Sequence, residues 1–231
     1  MSLRGCFVTG TDTGAGKTVL AAALCAAMRA DGVTAAAFKP VVTGVGEPAG
    51  GGWPADHELL ASVTGVRPRD VCATTFAPAV SPHLAASLAG ETIALDDLLA
   101  AARAAAAGAD ALVVEGVGGL LVPLTAEHSV RDLAAALGLP VVIAARPGLG
   151  TINHSLLTIE AARAGGLDVR AVVLTPWPDK PTVMQRSNRE TIARLGGVEV
   201  AALGEVSCHL EQLAAAGATL PWLGWLGTCT R

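Results

Sequence analysis

Residues 5–24 read GCFVTGTDTGAGKTVLAAAL, with a Gly/Thr-rich loop between an apolar run and an Ala/Leu-rich run. Phosphate-binding loops of nucleotide-binding proteins have the spacing G-x-x-x-x-G-K-[ST]. Gly16-Lys17-Thr18 supplies the end of that pattern, but position 11 is Thr and the nearest earlier glycine is Gly10. The stretch is therefore either a nucleotide loop with one additional residue or a Gly/Thr turn that only resembles such a loop.

The residues on both sides of the loop favour nucleotide binding. A short strand-like run precedes Gly10, and the residues from Lys17 onward have high helix propensity. The N–H groups and the dipole at a helix N-terminus form an anion site. Lys17 would then reach the β- and γ-phosphates of ATP, and the Thr18 hydroxyl would coordinate Mg²⁺. The alternative, a Gly-rich turn with Lys17 merely exposed, explains less of this context.

Apolar runs alternate with helical stretches along the chain, which is typical of a doubly wound α/β fold. Most runs are apolar on both faces, as in a mostly parallel sheet with helices on both faces. The predicted strands are Gly5–Thr9, Thr34–Phe38, Ala111–Glu115, Val141–Ala145, Ala171–Leu174 and Val198–Leu203. The predicted helices are Lys17–Ala30, Leu95–Ala107, Val130–Leu137, Ile152–Ala164 and Thr182–Leu195. Since no repeat or composition break occurs, we expect one domain over residues 1–231.

Two segments give weaker signals. Gly44–Pro54 is rich in Gly and Pro and predicts a mobile loop. The stretch from about Ala218 mixes Pro, Trp and Gly, and it matches no helix or strand pattern.

Charge and composition exclude several classes of function. The net charge of −4 lacks the basic excess of a nucleic-acid-binding protein. No apolar stretch is long enough for a membrane span, and no signal-peptide pattern occurs. The five cysteines are far apart and form no C-x-x-C pair, which argues against a disulfide framework or a zinc site. We therefore expect a cytoplasmic protein with neither nucleic-acid nor membrane partners.

Two carboxylates suit a Mg·ATP site, because Mg²⁺ prefers hard oxygen ligands. Glu115 ends the run DALVVE and is followed by a Gly-rich turn, and ligands of open α/β sheets bind at the carboxyl ends of strands. Asp56 begins a predicted helix in PADHELL. The alternatives are a solvated strand end for Glu115 and an N-cap for Asp56.

Five motifs occur together in this order: FVTGTDTGAGKT, FKPVVTG, SPHLAA, VEGVGGLLVPL and GLGTINHSLLT. As a set, over roughly residues 3–175, they resemble the dethiobiotin synthetases. That family has five residues between the first glycine and Gly-Lys-Thr, which accounts for the position of Gly10. The resemblance implies a P-loop NTPase fold, ATP as co-substrate, Mg²⁺, and a homodimer with the substrate near its interface.

The reaction implied by the resemblance is an ATP-dependent ring closure. One amine of 7,8-diaminononanoate takes up CO₂ as a carbamate, and a carbamate oxygen attacks the γ-phosphate of ATP. The neighbouring amine then displaces phosphate and closes the cyclic urea. The products are dethiobiotin, ADP and phosphate.

The resemblance also implies a role for individual residues. The implied catalytic residues are Lys39, Lys17 and Thr13. The implied metal ligands are Thr18, Asp56 and Glu115. The implied nucleotide-binding residues are Gly14, Ala15, Gly16, Lys17, Thr18, Val19, Asp56, Glu115, Gly116, Val117, Gly118 and Thr175. The implied substrate-binding residues are Thr13, Lys39, Thr43, Thr151 and Asn153.

Thr151 and Asn153 match the start of a helix at the homodimer interface of this family. In the family, that helix start receives the carboxylate of the substrate from the neighbouring subunit. For Asn153, helix capping or packing is the alternative. Position 14 is Gly where some relatives have Glu, so no side-chain role is expected there. Thr175 and Ser207 also replace the Asn and Pro of many relatives, and we therefore expect looser recognition of the base.

Three other functions fit the sequence less well than the synthetase. Partitioning ATPases carry a lysine early in the loop, where this chain has Asp12. Amidotransferase-type synthetases add a glutaminase domain, for which 231 residues leave no room. An inactive nucleotide-binding paralogue is disfavoured because the lysines and carboxylates named above are all present.

Overall fold

The computed structural model describes residues 4–45 and 52–228. Its strands are β1 (Arg4–Gly10), β2 (Ala35–Phe38), β3 (Val42–Thr43), β4 (Thr75–Phe76), β5 (Ala111–Glu115), β6 (Val141–Ala145), β7 (Val169–Trp177), β8 (Glu199–Gly204) and β9 (Gly227–Thr228). Its α-helices are α1 (Lys17–Ala30), α2 (Asp56–Thr64), α3 (Pro68–Val71), α4 (Pro82–Ala89), α5 (Leu95–Ala105), α6 (Val130–Leu137), α7 (Thr151–Ala164), α8 (Val183–Gly196) and α9 (Leu210–Gly217). A 3₁₀ helix follows at Trp222–Trp225.

A seven-stranded sheet forms the centre of the fold, in the order β2-β5-β1-β6-β7-β8 with β9 beside β1. All neighbours are parallel except β9, which runs antiparallel to the start of β1. The order reverses at β1, since β5 and β2 lie on one side and β6, β7 and β8 on the other. Such a switch point opens a crevice at the carboxyl end of the strand, and there the loop after Gly10 begins.

Both faces of the sheet are covered by helices, which confirms the doubly wound prediction. Successive side chains of β1 point to opposite faces. Cys6 and Val8 therefore pack in the core beneath α1, α2 and α9, whereas Phe7 packs in the core beneath α4 to α8.

Helix α1 lies unusually close to α9. A Cβ atom added to Gly217 would lie 2.1 Å from the backbone oxygen of Ala23. Ala-rich α1 has little side-chain bulk on that face, so the two helices approach through small residues. Helix α1, which follows the loop after Gly10, is therefore packed between the sheet and α9.

The predicted elements are present with small shifts at their ends. Strand β7 is longer than predicted, and α7 starts at Thr151, one residue earlier. Helix α2 begins at Asp56, where a helix start was predicted. The elements without a prediction are α3, α4, α9 and the short strands; α3 has four residues and β3, β4 and β9 have two each, which is too short for a periodic signal. Within the predicted loop Gly44–Pro54, residues 46–51 lie outside the described part of the chain.

The four cysteines of the described part are free; Cys6, Cys25 and Cys72 are buried and Cys208 is partly buried. Burial raises the pKa of Cys6 to about 12. Over residues 4–45 and 52–228, no helix has both the length and the apolar character needed to cross a membrane.

The segment after Ala218 closes one end of the sheet. Trp225 is 2% exposed and packs in the core beneath α1. Its Nε1 donates a hydrogen bond to Glu199 Oε2 at 3.1 Å, at the start of β8. Next along the chain, β9 pairs with the first residues of β1.

We predict that Trp225→Ala lowers the free energy of unfolding by about 3–5 kcal/mol, because it leaves a large cavity. Trp225→Phe should cost less, since it removes the Nε1 donor but keeps most of the ring. Urea denaturation measures both. Leu223, 62% exposed on the same 3₁₀ helix, is the control, and Leu223→Ala should change stability little. Equal losses at the two positions would contradict the burial of Trp225 in the core.

Candidate active site

The loop between β1 and α1 wraps around the start of α1. Gly16 caps the helix with φ 92°, a left-handed conformation that favours glycine. A Cβ atom there would also lie 2.4 Å from Thr175 Cγ2 at the carboxyl end of β7. Lys17 is 6% exposed, and its Nζ donates to the backbone oxygen of Asp12 at 3.1 Å. The loop therefore folds back over the helix start, as a phosphate cradle does.

Beside the loop, a lysine, a threonine and two carboxylates meet. Lys39 Nζ lies 2.6 Å from Glu115 Oε1 and 2.6 Å from Asp56 Oδ2. Thr18 Oγ1 lies 2.8 Å from Asp56 Oδ1 and 2.8 Å from Glu115 Oε1, so its proton can be donated to either. The four side chains come from four parts of the chain, and we call them the Lys39 cluster.

Strand register explains why the lysine and the glutamate meet. In the parallel pair of β2 and β5, Phe38 is opposite Val114. Lys39, the residue after β2, and Glu115, the last residue of β5, therefore lie side by side at the carboxyl edge of the sheet. Lys39 Nζ also lies 3.4 Å from the backbone oxygen of Gly116.

The electrostatics of the cluster follow from its burial. Lys39 is 2% exposed; burial lowers its pKa, but the carboxylates of Glu115 and Asp56 outweigh burial and raise the pKa above its ordinary value. Lys39 is therefore a permanent cation at neutral pH. Burial alone would raise the pKa of Asp56, yet Lys39 and the Thr18 hydroxyl hold it below its usual range. Burial lowers the pKa of Lys17, and the charge of Lys39 lowers it further.

A cavity of about 670 Å³ opens above the loop and the cluster. Its volume is in the range of small-molecule sites. Polar groups from Lys17, Thr18, Lys39 and Asp56 line one part of it. The other walls are mainly apolar and include Val41, Val42, Trp53, Leu59, Ala79, Val80, Pro82, Val117 and Val122.

The oxygen atoms of the cluster fit a magnesium ion. The Thr18 hydroxyl and the carboxylates of Asp56 and Glu115 are hard donors of the type that Mg²⁺ prefers. Glu115 Oε2 is buried and has no hydrogen-bond partner in the described part of the chain. A buried carboxylate oxygen without a partner is costly, and a bound cation or its water would satisfy it.

Curated relatives share most of their length with this chain. The ATP-dependent dethiobiotin synthetase BioD of Anaeromyxobacter dehalogenans (strain 2CP-C) is 48% identical over 226 residues, covering 95% of this chain and 91% of the relative. The enzyme of the same name from Mycobacterium sp. (strain KMS) is 38% identical over 230 residues, covering 95% and 97%. The family profile described as "AAA domain" matches residues 4–214.

The chain belongs to the ATP-dependent dethiobiotin synthetases.

Solved structures agree with the P-loop NTPase fold of this synthetase family. A ParA family ATPase from Chlorobium tepidum TLS superimposes with a TM-score of 0.52 at 14% identity, over 94% of this chain and 91% of the other. Chloroplast FtsY from Physcomitrella patens gives a TM-score of 0.50 at 15% identity, over 94% and 65%. At this identity the likeness shows the fold alone.

Most site residues predicted from the resemblance to the dethiobiotin synthetases come together. The residues that line the cavity are Thr13, Gly14, Gly16, Lys17, Thr18, Val19, Lys39, Thr43, Asp56, Val117 and Gly118. Glu115 and Ala15 are fully buried, and Gly116 is buried as well. Thr175 is 2% exposed and packs against Gly16 instead of lining the cavity. Their functional roles stay predictions.

Two predicted substrate-binding residues lie elsewhere. Thr151 and Asn153, in the first turn of α7, do not line the cavity of their own chain. Thr151 is buried, with its Oγ1 3.5 Å from Ser155 Oγ, whereas Asn153 is exposed.

Sequence reasoning overlooked Trp53 and Arg146. Trp53 lines the cavity three residues before Asp56, and a lone Trp in a Gly/Pro loop was an available signal. Arg146 directly follows the buried strand β6, and its guanidinium contacts the loop backbone. The strand-end rule that identified Glu115 would also have selected it.

Breaking the Lys39 cluster should be costly. Lys39→Met leaves Glu115 buried without its ion-pair partner, and we expect the free energy of unfolding to fall by about 3 kcal/mol. Adding Glu115→Gln removes the unpaired buried charge and should restore part of the lost free energy of unfolding. Urea denaturation with a chelator present measures both variants.

The control for this experiment is the exposed pair of Arg67 and Asp70, in which Nε lies 2.8 Å from Oδ2. Arg67→Gln should change stability far less, because exposed ion pairs contribute little. If the Lys39 and Arg67 variants lost equal stability, the cluster would not be the buried network described here.

Proposed function

We propose that this dethiobiotin synthetase, a ligase of biotin biosynthesis, converts 7,8-diaminononanoate, CO₂ and ATP into dethiobiotin, ADP and phosphate. The observation that carries this proposal is the Lys39 cluster beside a phosphate-type loop in one cavity, in a chain of this family. Family membership supplies the substrates, and the geometry supplies groups suited to them.

The proposed reaction has three steps. An amine of the substrate adds to CO₂ and loses a proton, which gives a carbamate. A carbamate oxygen attacks the γ-phosphorus of ATP, and ADP leaves, giving a carbamic-phosphoric anhydride. The second amine attacks the carbonyl carbon, phosphate leaves, and loss of a proton completes the cyclic urea.

Phosphoryl transfer depends on positioning and charge neutralisation more than on covalent chemistry. The loop N–H groups and Lys17 would bind the triphosphate. Lys39 would stabilise the negative charge of the carbamate and of the transferring oxygens. The two carboxylates keep Lys39 protonated, so it acts as a fixed cation and not as a base.

Mg²⁺ is proposed to bind at Thr18, Asp56 and Glu115, where it would neutralise charge on the β- and γ-phosphates. The buried, unpartnered Oε2 of Glu115 supports this assignment. The apolar walls, among them Val41, Trp53 and Val80, would contact the alkyl chain of the diamine and exclude water. We also propose that residues 1–231 form one domain and that the protein is cytoplasmic.

The test is phosphate release from Mg·ATP, 7,8-diaminononanoate and bicarbonate, with each component omitted in turn. We expect release only in the complete mixture, with dethiobiotin identified by mass spectrometry. Release without the diamine would indicate a regulatory ATPase instead. Bound nucleotide with no release would indicate an inactive paralogue.

Lys39→Met should retain nucleotide binding and lose ring closure, because it removes the proposed cation but leaves the loop intact. Calorimetry with a non-hydrolysable ATP analogue measures binding, and dethiobiotin formation measures turnover. Normal turnover by this variant would disprove the role proposed for Lys39. The assays are run below its melting temperature, since the variant is also expected to be less stable.

We further propose a homodimer in which α7 of one subunit completes the cavity of the other. Asn153 lies outside the cavity of its own chain, although the family resemblance gives it a substrate role. Leu149 and Leu157 near it are 93% and 56% exposed. Leu157 and Leu121 also line a second groove of about 420 Å³ beside the loop. This apolar surface is a candidate subunit interface.

Subunit complementation tests the shared site. Lys39→Met and Asn153→Ala should each be nearly inactive alone, and an equal mixture should recover activity. A mixed dimer has one cavity that combines an intact Lys39 with an intact partner Asn153, so up to about a quarter of wild-type activity is expected for random pairing.

Leu157→Glu should shift the protein to monomers in sedimentation velocity, whereas Leu223→Glu, at another exposed leucine, should not. No recovery of activity in a mixture shown to contain mixed dimers would contradict the shared site.

A further inference from the structure

Arg146 holds the backbone of the phosphate loop from outside the cavity. Its Nε donates to the backbone oxygen of Gly14 at 3.0 Å, and its Nη2 lies 3.5 Å from the backbone oxygen of Thr13. A Cβ atom on Gly14 would lie 2.7 Å from Nη2, so the guanidinium fills the space that a side chain at position 14 would use. Gly14 lines the cavity, whereas Arg146 does not.

These contacts set the direction of two peptide groups. A trans peptide is planar, and its C=O and N–H point in opposite directions. Holding the oxygens of Thr13 and Gly14 on the outer side therefore turns the N–H groups of Gly14 and Ala15 toward the opposite side. Gly14 lines the cavity, whereas Arg146 is not among its lining residues, and we infer that the side opposite the guanidinium is the one facing the cavity. N–H groups turned into such a loop bind anions.

The preceding part of the loop is held by other groups. The N–H of Thr13 donates to Asp12 Oδ1 at 2.7 Å, and Lys17 Nζ donates to the oxygen of Asp12. The carbonyl oxygens of Thr13 and Gly14 have Arg146 as their side-chain donor. The Arg146 guanidinium therefore holds the two carbonyl groups of the loop that the contacts of Asp12 and Lys17 do not include.

Arg146 is itself anchored on the rigid sheet. It directly follows β6, which pairs with β1 through Gly10 and Ala144. The N–H of Thr11 also donates to the oxygen of Ala144 at 3.0 Å. The loop and the arginine therefore start from adjacent strands, which fixes their separation before any ligand binds.

We propose that Arg146 is a positioning residue for triphosphate binding: it pre-orients the N–H groups of Gly14 and Ala15 toward the phosphates. The inference rests on the proposed role of the loop in binding ATP. Preorganised donors bind without reorganisation, so loss of Arg146 weakens binding although the residue does not reach the cavity.

The test uses Arg146→Gln, Arg146→Lys and the control Arg170→Gln. Arg170 is also exposed, and its Nε donates to Asp168 Oδ2 at 2.7 Å at the amino end of β7, opposite the site. Calorimetry with Mg²⁺ and a non-hydrolysable ATP analogue gives the Kd, and steady-state kinetics gives KM and kcat.

For Arg146→Gln we expect a roughly tenfold increase in Kd and in KM for ATP, the order expected for loss of a charged donor. The kcat at saturating ATP should stay within about twofold, because ground-state and transition-state binding suffer equally. The KM for the diamine and the melting temperature should match those of Arg170→Gln. Arg146→Lys should recover part of the affinity, since lysine keeps the charge but not the planar fork.

A double-mutant cycle with Gly14→Ala adds an independent test. The new Cβ displaces the guanidinium and, because Gly14 has φ 69°, also strains the loop itself. Only the additional effect of Arg146→Gln is therefore compared between the two backgrounds. Adding Arg146→Gln should then raise the Kd much less than it does in the wild-type loop.

Unchanged affinity in Arg146→Gln, or additive losses in the cycle, would overturn the inference. Full recovery by Arg146→Lys would also overturn it, because charge alone would then explain the effect. If the wild-type protein failed to bind the analogue, the proposed function would fail together with the inference.

Discussion

The parallel register of β2 and β5 is the constraint on which the site depends. It places Lys39 and Glu115 side by side at the carboxyl edge of the sheet, where both are almost fully buried. Neither charge could remain there alone, since an unpaired buried charge is strongly destabilising. Helices α1 and α2 then add Thr18 and Asp56, whose side chains complete the pairing. Strand pairing, helix docking and site geometry are therefore coupled.

Stability alone does not explain such a cluster. Replacing a buried ion pair with well-packed apolar residues is often neutral or stabilising. The surrounding core is aliphatic and would accommodate such residues, as Leu59 and Val41 beside the cavity illustrate. A role in binding charged ligands explains the buried charges better than stability does, because Asp56 and Glu115 keep Lys39 positively charged even when no ligand is bound. The same carboxylates are the oxygen donors proposed for Mg²⁺.

The amino-acid sequence predicted correctly those elements whose local pattern of apolar residues matches their burial in the fold. The buried parallel strands are apolar on both faces, and their positions and the loop after Gly10 followed from that pattern. Glu115 was identifiable because strand ends are where α/β sheets bind ligands. Asp56 was less certain, since at a helix start an Asp is commonly an N-cap and its contact with Lys39 is a tertiary contact that no local pattern specifies. The Arg146 contact was not predictable, because it depends on a side-chain direction that strand order does not determine.

The extra residue of the loop connects its unusual spacing with Arg146. A loop with five residues between Gly10 and Gly16 has one more peptide group to orient than the common pattern. Fixing one residue costs about 1–2 kcal/mol of conformational entropy. If that ordering occurred only on binding, nucleotide affinity would fall accordingly. A side chain just after the neighbouring strand can order the peptide in advance, and the glycine at position 14 leaves room for it. In this view the longer loop and the arginine beside it form one structural unit.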